Sequence, residues 1–162
     1  MNPRLHTLKR ALFSAVVLCT LALSACDYDV PITTNPTRRV DERLLGNWTL
    51  VSPMKSEHMK IRQFDDSNYV IAYQDGLYRA HHSDVADLPL VSVQEIEDQL
   101  RKFVYFAWQL SDDGNRLTIK TIRATVIPKE TRDSATVVKL IETNRANPQL
   151  FEESYAYTRD PK

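Results

Sequence analysis

Short segments in which apolar and polar residues alternate recur along most of this chain, and turn-forming residues separate them. In one of these segments Met59 and Ile61 alternate with Lys60 and Arg62, which is the pattern of a strand with one buried face. The same reasoning predicts strands over 47–52, 59–62, 69–73, 77–82, 88–93, 103–110 and 117–126. Because the connections are short, we expect sequential antiparallel strands.

A hairpin is predicted at Asp75-Gly76, because glycine accepts the positive φ that a tight turn requires. Further along, the period changes from two to that of a helix. Asp133 or Ser134 is placed to cap a helix through its side-chain oxygen, and apolar residues follow at Val137, Leu140 and Ile141. We therefore expect one helix before the last strand.

A final alternating segment, 150–159, brings the count to about eight strands. A sheet of sequential strands that closes into a barrel has no exposed edge. We therefore predict a mainly β domain formed by a small antiparallel up-and-down β-barrel, with a two-sheet β-sandwich as the alternative. An eight-stranded barrel is either filled by side chains or holds one small ligand.

The first 26 residues have the pattern of a secretory signal. A basic start containing Arg4, Lys9 and Arg10 precedes an uncharged apolar run of about 13 residues, 11–23, which is too short to span a bilayer comfortably. The run ends in Leu-Ser-Ala-Cys at residues 23–26, which resembles the bacterial lipobox. In proteins with this motif the chain is cleaved before the cysteine, and the cysteine carries the lipid.

The resemblance to lipoproteins implies a division of the chain into a signal peptide over 1–25, a tether over 26–40 and a domain over 41–162. Lipid on Cys26 anchors such a chain to a membrane of the bacterial envelope, facing the periplasm. The tether is predicted to be flexible, since it contains two prolines and three threonines without a clear period. Asp27 resembles the inner-membrane retention signal of enterobacterial lipoproteins, and the outer membrane is the alternative.

Charge and cysteine usage exclude several classes of function. The 21 basic and 21 acidic residues balance, and cleavage of the signal would leave an acidic excess, so a nucleic-acid partner is not expected. Of the two cysteines, Cys19 leaves with the signal and Cys26 is lipidated. The mature domain therefore has no disulfide within the chain and no cysteine-based metal site.

Gly46 and Trp48, which follow a predicted helical turn at 41–45, resemble the G-x-W motif of lipocalins. In lipocalins this tryptophan closes one end of the barrel, and a basic residue from the last strand region packs over its ring. Arg159 is the matching residue here, and the resemblance implies that all three residues are structural. The chain departs from the lipocalin pattern because its helix precedes the last strand. The whole chain is similar to Gram-negative envelope lipoproteins that carry a lipocalin-like domain.

No pattern in the sequence predicts a catalytic residue, a metal site or a cofactor. Adjacent His81 and His82 point to opposite faces of a strand, so the two residues and Asp84 are not expected to share a metal. The chain has neither a G-x-S-x-G elbow nor a glycine-rich phosphate loop. We do not expect an enzyme.

Two hypotheses about function remain. In the first, the barrel binds a small apolar or amphipathic molecule, such as a lipid or fatty acid. Its walls are then aromatic side chains, with these candidates: Tyr69, Tyr73, Tyr105, Phe106 and Tyr157. In the second, the barrel is solid and binds another envelope protein through the acidic connection at 94–102 or through the helix, in an inhibitory or structural role.

Overall fold

The computed structural model describes residues 28–97 and 99–161. Eight antiparallel strands close into a barrel in which each strand pairs with the next and the eighth pairs with the first. The strands are β1 (Gly46–Leu50), β2 (His58–Gln63), β3 (Asn68–Tyr73), β4 (Gly76–His82), β5 (Leu90–Glu95), β6 (Phe103–Leu110), β7 (Arg116–Ile122) and β8 (Phe151–Arg159). The predicted barrel is therefore confirmed, and the alternative of a β-sandwich is wrong because β1 and β8 pair.

The helix α1 (Ser134–Asn144) lies between β7 and β8, as predicted. Asp133 is its N-cap and accepts a hydrogen bond from the backbone N–H of Thr136 at 2.8 Å. Val137 and Ile141 on its apolar face are fully buried. A 3-10 turn over Glu42–Leu44 precedes β1, at the position where the sequence predicts a helical turn.

Two details of the strands differ from the prediction. β7 ends at Ile122, although alternation continues to residue 126, because the carbonyl of Arg123 accepts hydrogen bonds from the N–H groups of Val126 and Ile127 and the chain turns there. The β3–β4 hairpin forms at the predicted place. Its positive φ of 51° falls on Gln74, however, and not on Gly76.

The barrel has two hydrophobic cores, one on each face of the sheet. The inner core fills the barrel with side chains from all eight strands, including Trp48, Ile61, Ile71, Trp108 and Leu117. The outer core lies on the outside of β5, β6 and β7 and is covered by α1 and by the N-terminal residues. Strand residues therefore divide between the cores by alternation, since successive side chains point to opposite faces.

Residues 28–41, which we call the N-terminal strap, run along the outside of the barrel. Tyr28 forms an antiparallel bridge with Phe103 at the start of β6, and further along the N–H of Ile32 donates to Ser92 Oγ at 2.9 Å. The N–H of Thr37 then donates to the carbonyl of His82, at the other end of the barrel. Tyr28 and Ile32 are fully buried in the outer core.

This packing corrects the prediction of a flexible tether over 26–40, for all residues from Tyr28 onward. The strap is part of the domain, so the domain begins before residue 41. Cys26, Asp27 and the signal segment lie outside the described residues. Among the residues that the structure describes, no helix is long and apolar enough to cross a membrane.

Candidate functional site

The two ends of the barrel differ. The closed end is the end at which β1 begins, with Gly46, and β8 ends, with Arg159. The 3-10 turn lies across this end of the barrel. The indole N–H of Trp48 donates to the carbonyl of Leu44 at 3.0 Å, which fixes the turn against the ring. Trp48 is fully buried and Leu44 nearly so, and together they seal this end.

Arg159 completes the seal. Its guanidinium carbon lies 4.3 Å from the centroid of the Trp48 ring, at cation–π distance. Nη1 donates to the carbonyl of Leu45 at 2.7 Å, and Nε donates to the carbonyl of Gly114 at 2.8 Å. A Cβ atom on Gly46 would lie 2.5 Å from Arg159 Nη1 and would displace the guanidinium, and the φ of 153° at this position also favours glycine. The structure thus brings Gly46, Trp48 and Arg159 together at one end.

A polar cluster is buried just inside this seal. The backbone N–H of Asp41 donates to the hydroxyl of Tyr69 at 2.6 Å, and this hydroxyl also lies 2.7 Å from His82 Nε2. Burial lowers the pKa of His82 to about 4 and raises that of Tyr69 to about 12. His82 is therefore neutral near pH 7. Since the rings of Tyr69 and His82 are both buried and pack edge-on against Trp108, with centroids 5.2 Å and 5.3 Å from its ring, we assign them a structural role.

His81, His82 and Asp84 do not form a common site. His81 points outward, where its Nε2 lies 3.0 Å from the carbonyl of Thr33 on the strap, whereas His82 points inward. Asp84 pairs with Arg38 Nε at 2.9 Å, beside a shallow surface depression. Within 28–97 and 99–161, no three histidine, aspartate or glutamate side chains come together in a geometry that suits a metal ion.

The open end carries the β1–β2, β3–β4 and β5–β6 connections and the longer β7–β8 connection, which contains α1. Most inward-facing side chains near this end are less buried than those near the closed end, although Val93 is buried here and Leu110 at the closed end is partly buried. Near the closed end and the middle they are buried: Trp48, Met59, Ile61, Tyr69, Ile71, Trp108 and Leu117. Towards the open end several inward-facing apolar side chains are only partly buried: Leu50, Tyr73, Tyr78, Phe106 and Ile119. These five side chains therefore keep some contact with solvent, and together they line the part of the barrel that we call the cup.

Polar groups gather at the mouth of the cup. The hydroxyl of Tyr73 donates to a carboxylate oxygen of Glu57, and Tyr157 interacts with the same hydroxyl. Burial and the Glu57 carboxylate raise the pKa of Tyr73 above its ordinary value. Across the mouth, Tyr78 faces Glu95 as its cross-strand partner. The mouth therefore combines phenol rings with two carboxylates.

The structure places the five aromatic residues predicted to line the ligand site in different parts of the barrel. Tyr73 and Phe106 line the cup, and Tyr157 lies beneath its mouth at 5% exposure. Tyr69 is at the closed end, where its hydroxyl is already bonded. Tyr105 is on the outer face, stacked on Tyr28 with ring centroids 3.9 Å apart. The prediction is corrected for Tyr69 and Tyr105. Neighbours on a strand cannot both face inward, and Phe106 does.

Sequence reasoning missed three residues of the mouth, namely Tyr78, Glu57 and Glu95. A signal for Tyr78 was available, since it shares the period-two face of β4 with the buried Ala80 and His82. Glu57 precedes β2, outside the strand pattern, and only its hydrogen bond to Tyr73 places it at the mouth.

Comparison with known proteins found no matching family model, no matching curated protein and no matching solved structure.

Proposed function

We propose that this chain is a lipid-anchored protein of the bacterial envelope whose barrel binds a small apolar or amphipathic molecule in the cup. The observation that carries the proposal is the fall in burial along the barrel axis. A barrel whose interior is sealed and filled at one end, but lined by partly exposed aromatic and aliphatic side chains at the other, has the form of a shallow binding site.

The composition of the cup favours one class of ligand. Its wall is apolar, whereas the mouth holds two carboxylates. Glu57 accepts a hydrogen bond from Tyr73 and lies 3.6 Å from Lys55 Nζ. Glu95 is the cross-strand partner of Tyr78. An amphiphile bound with its apolar part inward would place its head group beside these carboxylates. A neutral hydrogen-bond donor or an amine head fits this mouth better than the carboxylate of a fatty acid.

The anchor and the family are also proposals. The Leu-Ser-Ala-Cys motif supports lipidation of Cys26, and Asp27 supports the inner membrane. The arrangement of Gly46, Trp48 and Arg159 supports a lipocalin-like domain, although α1 precedes β8 here. We infer a binding module and not an enzyme, because no pattern in the sequence predicts a catalytic residue.

Filling the cup tests the proposal. Val104 faces inward near the open end, as the cross-strand partner of Val93, and is partly exposed. We expect Val104→Trp to weaken binding of the probe N-phenyl-1-naphthylamine by at least about tenfold, which corresponds to about 1.4 kcal/mol. The matched control is Lys60→Trp on the exposed outer face of β2. Equal affinities in the two variants would count against the cup.

A further inference from the structure

Exposed apolar side chains gather at the open end of the barrel. Among the described residues, six large apolar side chains are exposed, and five of them are at this end: Val51, Met54, Ile96, Leu100 and Tyr155. The sixth, Phe64, lies in the β2–β3 connection at the closed end. Met54 is 89% exposed and Leu100 is 71% exposed, so neither contributes to the cores of the barrel.

Four of these residues belong to two connections on the same rim. Val51 and Met54 follow β1, and Ile96 and Leu100 follow β5. In an up-and-down barrel, odd-numbered strands all run towards the same end, so both connections flank the mouth of the cup. We call Val51, Met54, Ile96 and Leu100 the apolar rim. Exposed apolar patches at loop tips are typical of surfaces that contact a membrane or a partner.

The chain enters the described domain at this same end. Tyr28 pairs with Phe103, the residue that begins β6, directly after the connection that carries Ile96 and Leu100. Cys26 is two residues before Tyr28 in the sequence, and two residues span at most about 7 Å. A lipid on Cys26 would therefore hold the bilayer close to the open end.

We propose that the apolar rim docks on the lipid bilayer and that the mouth of the cup faces the membrane. This inference rests on the proposed lipid anchor. Both basic and acidic residues stand beside the apolar ones: Lys55 Nζ lies 3.6 Å from a carboxylate oxygen of Glu57, and Arg101 shares its connection with the exposed Glu97. The proposed docking therefore rests on the apolar side chains and on the position of the anchor, and not on charge. An amphiphile then passes between the bilayer and the cup without crossing bulk water.

A protein partner is the competing occupant of the rim, and the position of the anchor favours lipid. With the anchor so close to the mouth, a partner protein would have to enter between the rim and the bilayer. The lipid needs no such space. The four side chains also stand on two separate loop tips. Such an arrangement suits a fluid lipid surface, which adapts to each side chain, better than one rigid protein face.

Quenching of tryptophan fluorescence by brominated lipid tests the proposal. The lipidated full-length protein is reconstituted into vesicles of phosphatidylethanolamine and phosphatidylglycerol that contain dibrominated phosphatidylcholine. The variants are Met54→Trp and Leu100→Trp on the apolar rim, with Phe64→Trp as the matched exposed control at the closed end. The parent supplies the background of Trp48 and Trp108, which are buried.

We expect the emission added at positions 54 and 100 to fall by at least half and that added at position 64 to be unchanged. Equal quenching at all three positions, or quenching at none, would overturn the proposal. Photocrosslinking of position 54 to an envelope protein, without lipid quenching, would assign the rim to a protein partner and would also overturn it.

Two further readouts separate this inference from the proposed function. An intact mass that shows no lipid on Cys26 would remove the anchor and with it the docking. Quenching at the rim in a protein that takes up no amphiphile would support docking and refute ligand binding alone. Amphiphile uptake without quenching would refute docking alone.

Discussion

At the scale of single residues, the closed end depends on a contact that only glycine allows. Arg159 reaches the carbonyls of Leu45 and Gly114 while its guanidinium lies over Trp48, and the space for it exists because Gly46 has no Cβ. The sequence shows Gly46 and Trp48 as a motif, but only the fold shows how closely Arg159 approaches Gly46. The seal is therefore a property of three residues from two ends of the chain.

Gly46→Ala should destabilise the domain by about 2 kcal/mol, because Gly46 has a φ of 153°, which residues with a side chain rarely adopt, and because the added methyl group would overlap Arg159 Nη1. The measurement is urea unfolding of Gly46→Ala, Arg159→Ser and the double variant. The part of the cost that comes from the overlap disappears in the Arg159→Ser background, whereas the part that comes from the positive φ remains. The same cost in both backgrounds would show that Arg159 is not the cause.

His82 should make stability depend on pH. Burial lowers its pKa to about 4, below the ordinary value of 6.5, so the unfolded chain binds the proton more readily between these values. The stability that the folded protein gains from keeping His82 neutral is therefore fully present above pH 6.5, and it is lost as the pH falls towards 4. Between pH 7 and pH 5, His82 should lower the free energy of unfolding by about 2 kcal/mol.

The measurement is the free energy of unfolding at pH 7 and pH 5 for the parent, His82→Phe and His58→Phe. His82→Phe should lose less stability between the two pH values than the parent does. His58 is exposed, and its variant should behave as the parent. A parent and a His82→Phe variant with the same pH dependence would refute the assignment.

At the scale of elements, the strap differs most from what the sequence predicts, because it is packed against the barrel and is not a flexible tether. It covers the outer face of β5 and β6, and Tyr28 and Ile32 form part of the outer core. The strap also links the two ends of the barrel, since it runs from Phe103 at the open end to Asp41 at the closed end. An ordered strap of this kind leaves little free chain between the domain and Cys26.

Tyr28→Ala should destabilise the domain by about 3 kcal/mol, because Tyr28 is fully buried against Tyr105 and its hydroxyl donates to the carbonyl of Ile127 at 2.9 Å. Met54→Ala is the control, since Met54 is exposed and should cost less than about 0.5 kcal/mol. Thermal unfolding of both variants checks this. A flexible tether would instead give two similar, small losses.

The strands and the helix were predictable from the sequence because each has its own period and its own end signals. The alternation of Met59 and Ile61 with charged residues, and the cap at Asp133, are local properties. The strap carries a weaker form of the same signal, in which Tyr28, Val30 and Ile32 alternate with Asp29 and Pro31. The prolines of this segment suggested a tether, and its partners in the outer core are far away in the sequence.

The candidate site was predictable only in part, for a related reason. Alternation places Phe106 and Tyr105 on opposite faces, but it does not say which face is inside when both are apolar. Both faces of β6 pack against a core here, one in the barrel and one beneath the strap and α1. Glu57 lies outside the strand pattern and was missed for that reason.

At the scale of the whole molecule, the two ends of the barrel differ in structure. The closed end is sealed and contains the buried cluster of Tyr69 and His82, whereas the open end has the cup, two carboxylates and the apolar rim. The start of the strap lies at the open end as well. These features support the proposal that ligand binding and contact with the membrane both occur at one end of the molecule.

The charge at the mouth predicts a preference among amphiphiles of equal chain length. At pH 7, dodecylamine should bind at least about tenfold more tightly than dodecanoate, because Glu57 and Glu95 flank the head-group position. The double variant Glu57→Gln, Glu95→Gln should lose most of this preference. Glu97→Gln is the control, since Glu97 is exposed beyond the end of β5. Isothermal titration calorimetry below the critical micelle concentrations measures the ratio, and a preference for dodecanoate in the parent would refute it.

Native mass spectrometry of the unlipidated domain from residue 27 onward, which retains the strap, tests the central claim most directly. The proposed function predicts an additional mass of an apolar or amphipathic molecule that is lost on denaturation and is absent from Val104→Trp. A mass of the protein alone, with no uptake of added dodecylamine or N-phenyl-1-naphthylamine, would contradict it.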